Sequence, residues 1–221
     1  TLPEPDATWV RGFARGFAAL AKRHGVALVG GDTTRGPLTI TVQAHGFVPP
    51  RRALRRDGAR AGDAIFVSGT LGDAAAGLAN PRNAKLRVRL DRPVPRVALG
   101  LALRGIASAA IDVSDGLAAD LGHVLDASGV GAVLDVDALP SSRALRDAVT
   151  DVRALQLGGG DDYELCFTVP ARRVARVADI ARELRLPLTR IGRIERERGL
   201  RDATGRALAR RGYVHFRKGS R

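Results

Sequence analysis

Acidic residues gather at three glycine-bearing turns: Gly30-Gly31-Asp32-Thr33-Thr34, Asp112-Val113-Ser114-Asp115-Gly116 and Gly158-Gly159-Gly160-Asp161-Asp162-Tyr163-Glu164. Each adjoins a run of Val, Leu, Ile, Ala or Cys that reads as a buried strand. Glycine lets a backbone approach a ligand closely, because no Cβ intervenes. Carboxylates at strand ends suit a hard divalent cation, and the neighbouring backbone N–H groups suit phosphate oxygens. In the first turn Asp32 can hold a cation, and the Thr33 and Thr34 hydroxyls can bond a phosphate. In the second, Asp112 and Ser114 share one side of a strand end, and Asp115-Gly116 opens a helix whose N–H groups favour anions. The third joins a flexible triple glycine to Asp161, Asp162 and Glu164, where a carboxylate can hold a cationic substrate and Tyr163 can pack against a ring. Each turn also has an ordinary reading. Asp32 can cap its own turn, Ser114 or Asp115 can be a helix N-cap, and the third can be a solvated loop.

Other chemistries lack their signatures. There is no Gly-x-Ser-x-Gly elbow, no Cys–His pairing by spacing and no zinc-type Cys/His cluster. A Gly-x₄-Gly-Lys-Ser/Thr loop and the protein-kinase signature set are also missing. The scattered histidines, His24, His45, His123 and His215, suggest no ligand set. Any phosphoryl transfer would therefore rest on positioning and metal charge, without a covalent step.

The elements that must position these turns alternate along the chain. Asp6 should cap a helix with Val10, Phe13, Phe17 and Leu20 on one face, stopped at His24-Gly25. Strands are expected over 26–29, 38–48, 64–67, 107–113, 133–136, 163–169 and 188–194. Helices are expected over 74–79, 97–103, from Leu117 to Ser128-Gly129, 143–149 and 174–186. Residues 51–62 read as a basic connector with a short helix, and 81–95 as a loop. The alternation argues for α/β or α+β layering, with a boundary near Arg60. The 221 residues, 45% hydrophobic and 27% charged, suffice for one large or two small domains. Thr1 rather than Met begins the chain, so a preceding segment is expected. The single cysteine, Cys166, lies in an apolar strand, which excludes an internal disulfide and fits a reducing compartment. No apolar run is long enough to cross a bilayer. A formal charge of +13 invites a nucleic-acid reading, but the arginines are dispersed and aromatics are only 4%.

Taken in order, the segments resemble the thiamine-monophosphate kinase family of the aminoimidazole-ribonucleotide synthetase-like superfamily. The resemblance runs through Gly30–Pro37, His45–Pro49, Ala53–Ala59, Gly62–Thr70, Gly72–Leu78, Arg92–Val97, Ile111–Leu117, Gly159–Phe167 and Gly212–Phe216, nearly the whole chain. It implies Mg²⁺-dependent transfer of the ATP γ-phosphate to thiamine monophosphate. By matched position Asp32, Asp112 and Asp115 would bind Mg²⁺, and Gly31 and Asp32 would lie near ATP. Arg56, with Arg55 as the neighbouring alternative, and Ser114 would contact ATP phosphates. Glu164 would face the cationic thiamine moiety, with Tyr213, or less favourably Phe216, offering it an aromatic face. The implied architecture is a partial N-terminal half-domain with a mixed sheet (residues 1–59), followed by a complete C-terminal α/β domain (60–221). The half-domain's sheet would join that of a second subunit, making a homodimer when full length. A cytoplasmic location, with neither nucleic acid nor membrane as partner, completes the expectation.

Two rivals remain open at this stage. A sister enzyme, such as selenophosphate or aminoimidazole-ribonucleotide synthetase, shares the glycine–aspartate ATP site but uses another acceptor. A basic nucleic-acid-binding module would bind with steep salt dependence and be indifferent to alanine at Asp32, Asp112 and Asp115. The family's N-terminal region, with its Gly-Asp-Asp-type metal motif and further Mg²⁺ aspartates, is not matched in residues 1–221, and the stretch between Leu78 and Arg92 is short for the family. Residues 1–221 alone are therefore expected to show little or no ATP- and thiamine-monophosphate-dependent turnover. An ADP-release assay on the purified chain checks this, and robust turnover would contradict it.

Overall fold

The computed structural model describes residues 1–210, 212 and 213. It falls into two compact units, Thr1–Val48 and Pro49–Arg221. In the first, helix α1 (Ala7–Arg23) begins where the Asp6 carboxylate accepts the N–H groups of Thr8 and Trp9, at 2.8 and 3.0 Å. The rings of Trp9, Phe13 and Phe17 follow one another along it, with centroids 5.5 and 5.9 Å apart. No side chain in this unit is buried. The strands expected over 26–29 and 38–48 form no ladder; the unit's pairing among the described residues is one bridge, Leu2 to Arg35. Alternating apolar residues favour an extended chain, but a strand also needs a neighbour for its N–H and C=O groups.

The second unit is built on a six-stranded sheet in the order β2-β4-β1-β5-β3-β6. Its strands are β1 (Ala64–Ser68), β2 (Ala109–Val113), β3 (Gly131–Leu134), β4 (Glu164–Val169), β5 (Leu188–Glu195) and β6 (Gly199–Asp202). All neighbours are antiparallel except β3 and β6. The pleat sends Ile65, Val67, Ile111, Val113 and Cys166 to one face, where Leu117, Leu121, Val124 and Leu125 of α5 (Leu117–Ser128) cover them. On the other face, Phe66 and Phe167 meet α4 (Val97–Leu103) and α8 (Val174–Leu184) through Leu99, Leu103, Val177 and Ile180. A smaller cluster, Ala76, Leu86 and Leu145, joins α2 (Asp73–Ala79), α3 (Ala84–Asp91) and α6 (Arg143–Ala148).

The expected mixed α/β class is therefore what the chain forms, with local differences. Residues 51–62 hold no helix; instead the Arg55 carbonyl accepts the Ala110 N–H at 2.9 Å, so this segment runs along the outer edge of β2. The stretch 81–95 contains α3, because Asn83 caps it and Leu86 anchors it. Strand β3 lies two residues earlier than expected, and residues 136–138 form a single 3₁₀ turn capped by Asp135. Helix α7 (Val152–Gly158), capped by Asp151, and strand β6 were not anticipated. No helix among the described residues is long and apolar enough to cross a membrane.

Helix α2 has a glycine N-cap, Gly72, and so no capping side chain of its own. Asp162, distant in sequence, supplies the acceptor: its Oδ2 takes the Gly72 N–H at 2.7 Å, and its Oδ1 lies 3.5 Å from the Ala74 nitrogen. Burial pushes the Asp162 carboxyl up to about 7, against the opposing pull of those two N–H groups. In an unfolded chain the same group titrates near ~4. The folded state therefore holds this proton more tightly, and the contribution to stability is complete below about pH 4 and lost as pH rises toward 7. Asp162→Asn keeps the acceptor oxygen and removes the titration. Urea unfolding midpoints measured from pH 4 to 8 should decline less steeply in this variant than in the wild type.

Candidate functional site

The second acidic turn is bonded from several directions. Strand β2 buries Ile111 and Val113 and leaves Asp112 exposed between them. The chain then turns at Ser114 and Asp115, both half-buried, into α5. The loop 158–163 closes against this turn. The Asp161 N–H donates to the Ser114 carbonyl and the Tyr163 N–H to the Val113 carbonyl, both at 2.8 Å. A Cβ on Gly160 would stand 2.5 Å from the Ser114 carbonyl oxygen, so the triple glycine read as flexible is a close-packing element. Asp161 and Tyr163 both have positive φ, 66° and 50°, a conformation uncommon for side chains of this size. The Tyr163 hydroxyl donates to Asp161 Oδ1 at 3.2 Å. Burial first, then the charges of Asp161, Asp112 and Asp115, raise the Tyr163 phenol above its ordinary range. Those three carboxylates thus share a neighbourhood around an exposed ring.

Helix α5 also starts at a glycine, Gly116. The N–H groups of Ser114, Asp115 and Gly116 all donate to Asp120 Oδ2, at 3.0, 3.0 and 3.1 Å. Amides at such a turn suit an anion from outside; the chain's own buried carboxylate takes them instead. Burial raises the Asp120 carboxyl, and the three N–H groups oppose that shift.

The remaining candidates are distributed as follows. The Tyr213 N–H donates to the Asp115 carbonyl at 2.9 Å, which brings that exposed ring to the same turn. Phe216 lies outside the described residues. Arg56 is exposed on the segment beside β2, its carbonyl accepting the Ser128 hydroxyl at 3.0 Å, and it makes no ion pair among the described residues. Arg55 is paired with Asp57 through its Nε at 2.8 Å. That leaves Arg56 the less committed guanidinium. Gly31, with φ 154°, and Asp32, whose Oδ1 accepts the Thr33 N–H at 2.7 Å, belong to the first unit. Both are exposed there.

Glu164 differs from expectation. Rather than facing a ligand, it is fully buried and fully bonded. Its Oε2 accepts the Ser68 hydroxyl at 2.6 Å and Arg96 Nε at 2.7 Å; its Oε1 accepts Arg96 Nη2 at 2.5 Å and Arg89 Nη2 at 2.8 Å. A Cβ on Gly69 (φ 60°) would stand 2.2 Å from Oε1, so the turn after β1 is shaped around this carboxylate. The carboxylate that bonds Tyr163 is that of half-buried Asp161, three residues earlier. The period of two in a strand places Glu164 on the face of Cys166, and that was the available signal.

Comparison with known proteins matches these arrangements to a family. The family described as "AIR synthase related protein, C-terminal domain" covers residues 60–203, and its N-terminal counterpart covers residues 1–48. The thiamine-monophosphate kinase of Salmonella typhimurium is 47% identical over 98% of this chain and 71% of its own length. That of Escherichia coli K12 is 45% identical over the same shares. The chain belongs to the thiamine-monophosphate kinase family. Among solved structures, the thiamine-monophosphate kinase of Stenotrophomonas maltophilia superposes with a TM-score of 0.86 at 47% identity, covering 94% of this chain and 71% of that one. A structure described as "AaThiL complexed with AMPPCP and TMP" superposes with a TM-score of 0.81 at 30% identity, covering 98% and 71%.

Membership directs attention to the donor set. Among the described residues no three His, Cys, Asp or Glu side chains are grouped closely enough to hold a metal ion unaided. Asp112 and Asp115 nonetheless carry the hard oxygen donors that Mg²⁺ prefers, and Mg²⁺ is commonly held by one or two carboxylates with substrate phosphates. Four residues of the surrounding scaffold went unrecognised in the sequence: Asp120, Asp73, Arg89 and Arg96. Asp73 accepts the hydroxyls of Thr70 and Ser142, at 2.6 and 2.5 Å, and bears on Arg89 Nε at 3.8 Å. Arg89 and Arg96 meet Glu164 across 75 and 68 residues, and Asp73 meets Ser142 across 69, so no local pattern marks these three. Glu164→Ala strands Arg96 and Arg89 beside a vacated pocket. It should cost about 3–5 kcal/mol, read as a lowered urea midpoint.

Proposed function

We propose that this chain serves the ATP-dependent phosphorylation of thiamine monophosphate to thiamine diphosphate by binding the nucleotide and the acceptor, with little or no turnover expected of residues 1–221 alone. The observation that carries the proposal is the gathering of Asp112, Asp115 and Asp161 around Tyr163 and Tyr213 at one strand-to-helix turn, in a chain whose relatives bear that enzyme's name. In this reading Asp112 and Asp115 hold Mg²⁺ on the nucleotide phosphates. The Ser114 hydroxyl and Arg56 contact phosphate oxygens. In the first unit, taken by itself, Asp32 is a Mg²⁺ ligand and Gly31 leaves the backbone beside it open to a nucleotide. When bound, the ion would neutralise phosphate charge during direct γ-phosphoryl transfer. Asp161 takes the role first given to Glu164: a half-buried carboxylate beside an aromatic face suits a ring that carries a positive charge. Tyr163 and Tyr213 supply such faces. Glu164 keeps the strand ends in place instead. A homodimer and a cytoplasmic location belong to the same proposal.

The sister-enzyme reading shares the nucleotide half of this site and differs in the acceptor. Calorimetry with Mg·AMPPCP, followed by each acceptor in turn, separates the two. The proposal expects thiamine monophosphate to bind to the nucleotide-loaded protein and the sister acceptors to give no heat. Asp112→Asn and Asp115→Asn should each weaken Mg·AMPPCP by about ten-fold or more. Asp147→Asn, an exposed acid on α6, should leave the affinity unchanged. Preference for a sister acceptor, or indifference to both aspartate substitutions, would overturn the assignment.

A further inference from the structure

We infer that Asp120 is a positioning residue: its carboxylate sets the turn from which Ser114 reaches the nucleotide phosphates and Asp115 the metal ion on them. The inference rests on the functional reading above. Asp120 is only 3% exposed, and one of its oxygens receives three successive backbone N–H groups. Successive amides converging on one point form a nest that ordinarily takes a phosphate oxygen. Here a side chain four residues into α5 fills it permanently.

Two consequences are chemical. While Asp120 occupies the nest, those amides cannot hold a phosphate, so Ser114 and Asp115 act through their side chains alone. The direction in which those side chains leave is then fixed by charge-assisted bonds shielded from water, which are stronger than bonds between neutral groups.

A third consequence is geometric. The turn is also a docking point for the other parts of the site, since Val113, Ser114 and Asp115 offer their carbonyls to Tyr163, Asp161 and Tyr213. Shifting it would displace both rings and all three outward carboxylates together. A cap needed only for helix stability would ordinarily be a Ser, Thr, Asp or Asn at position 116 itself. Anchoring from Asp120 leaves that position to Gly116, where a Cβ would stand 2.9 Å from the Gly158 carbonyl carbon. The turn and the loop carrying Asp161 can therefore touch backbone to backbone.

The test uses the full chain with Asp120→Ala, Asp120→Asn and Leu125→Ala. Leu125 is a fully buried residue of the same helix and controls for lost stability. Amide exchange of Ser114, Asp115 and Gly116 is followed by NMR, and Mg·AMPPCP affinity by calorimetry. Asp120→Ala should deprotect the three amides and weaken Mg·AMPPCP by about 10–100-fold. Asp120→Asn, which retains an acceptor oxygen, should fall between it and the wild type, and Leu125→Ala should bind like the wild type. Equal losses in Asp120→Ala and Leu125→Ala would reduce Asp120 to a stabilising cap and overturn the inference. Where Asp120→Ala does not fold, the Asn variant decides, and faster exchange with unchanged affinity overturns it. A wild type with protected amides but no nucleotide binding would overturn the functional reading, and this inference with it.

Discussion

Backbone N–H groups at the buried starts of helices must find acceptors, and in the larger unit carboxylates provide them. Helices α2 and α5 both begin at glycine, so neither has a capping side chain at the usual position. Asp162 serves the first and Asp120 the second. Asp63 does a related service, accepting the Arg60 N–H and the Ser108 hydroxyl at 3.0 and 2.6 Å. An orphaned buried donor costs more than a typical hydrogen bond gains, so these acids are structural necessities wherever glycine occupies the cap. Glycine occupies it because the neighbouring backbone comes too close for a Cβ: Leu155 and Gln156 at Gly72, Gly158 at Gly116.

This requirement divides the acidic residues into two populations. Asp73, Asp120, Asp162 and Glu164 turn inward and are bonded to amides, hydroxyls or guanidinium groups. Asp112, Asp115 and Asp161 keep contact with solvent at the turn that the first group holds still. The inward set gives rigidity, and the outward set is free to meet a cation. In a chain with a formal charge of +13, the outward set also forms a local negative site within a positive surround. Such a field draws polyphosphates toward the surface, where the carboxylates of the proposed metal site lie.

The sequence disclosed the outward set more readily than the inward one. Glycine beside aspartate at the end of an apolar run marks a turn near a strand, and Asp112 and Asp115 stand at such a turn. Most of the helices and strands of the larger unit were legible through periodicity and caps. Glu164 follows the strand's own alternation, which aligns it with buried Cys166, so its acidity alone does not mark its surroundings. Asp120 had no local mark, since an aspartate in the first turns of a helix is common for electrostatic reasons alone. Arg89 and Arg96 are 75 and 68 residues from the glutamate they bind, beyond any window of local pattern. The strands expected in the first unit failed for the opposite reason: their pattern is strong, but a ladder depends on a partner that pattern does not supply.

Sheet order explains why the outward acids come from β2. Strands β1 and β4 are flanked on both sides, and the Ser68 and Glu164 ends of these strands meet in the buried ion network with Arg89 and Arg96. A free carboxylate there would lose its hydration without gaining a ligand. Strand β2 is an edge, paired with β4 on one side and met on the other by the Arg55 carbonyl. Its end is open enough for Asp112 to stay hydrated, yet it is fixed by β4 and by Asp120. An edge strand is usually a liability that charges help to blunt. In this unit the same charges guard the edge and furnish the proposed site.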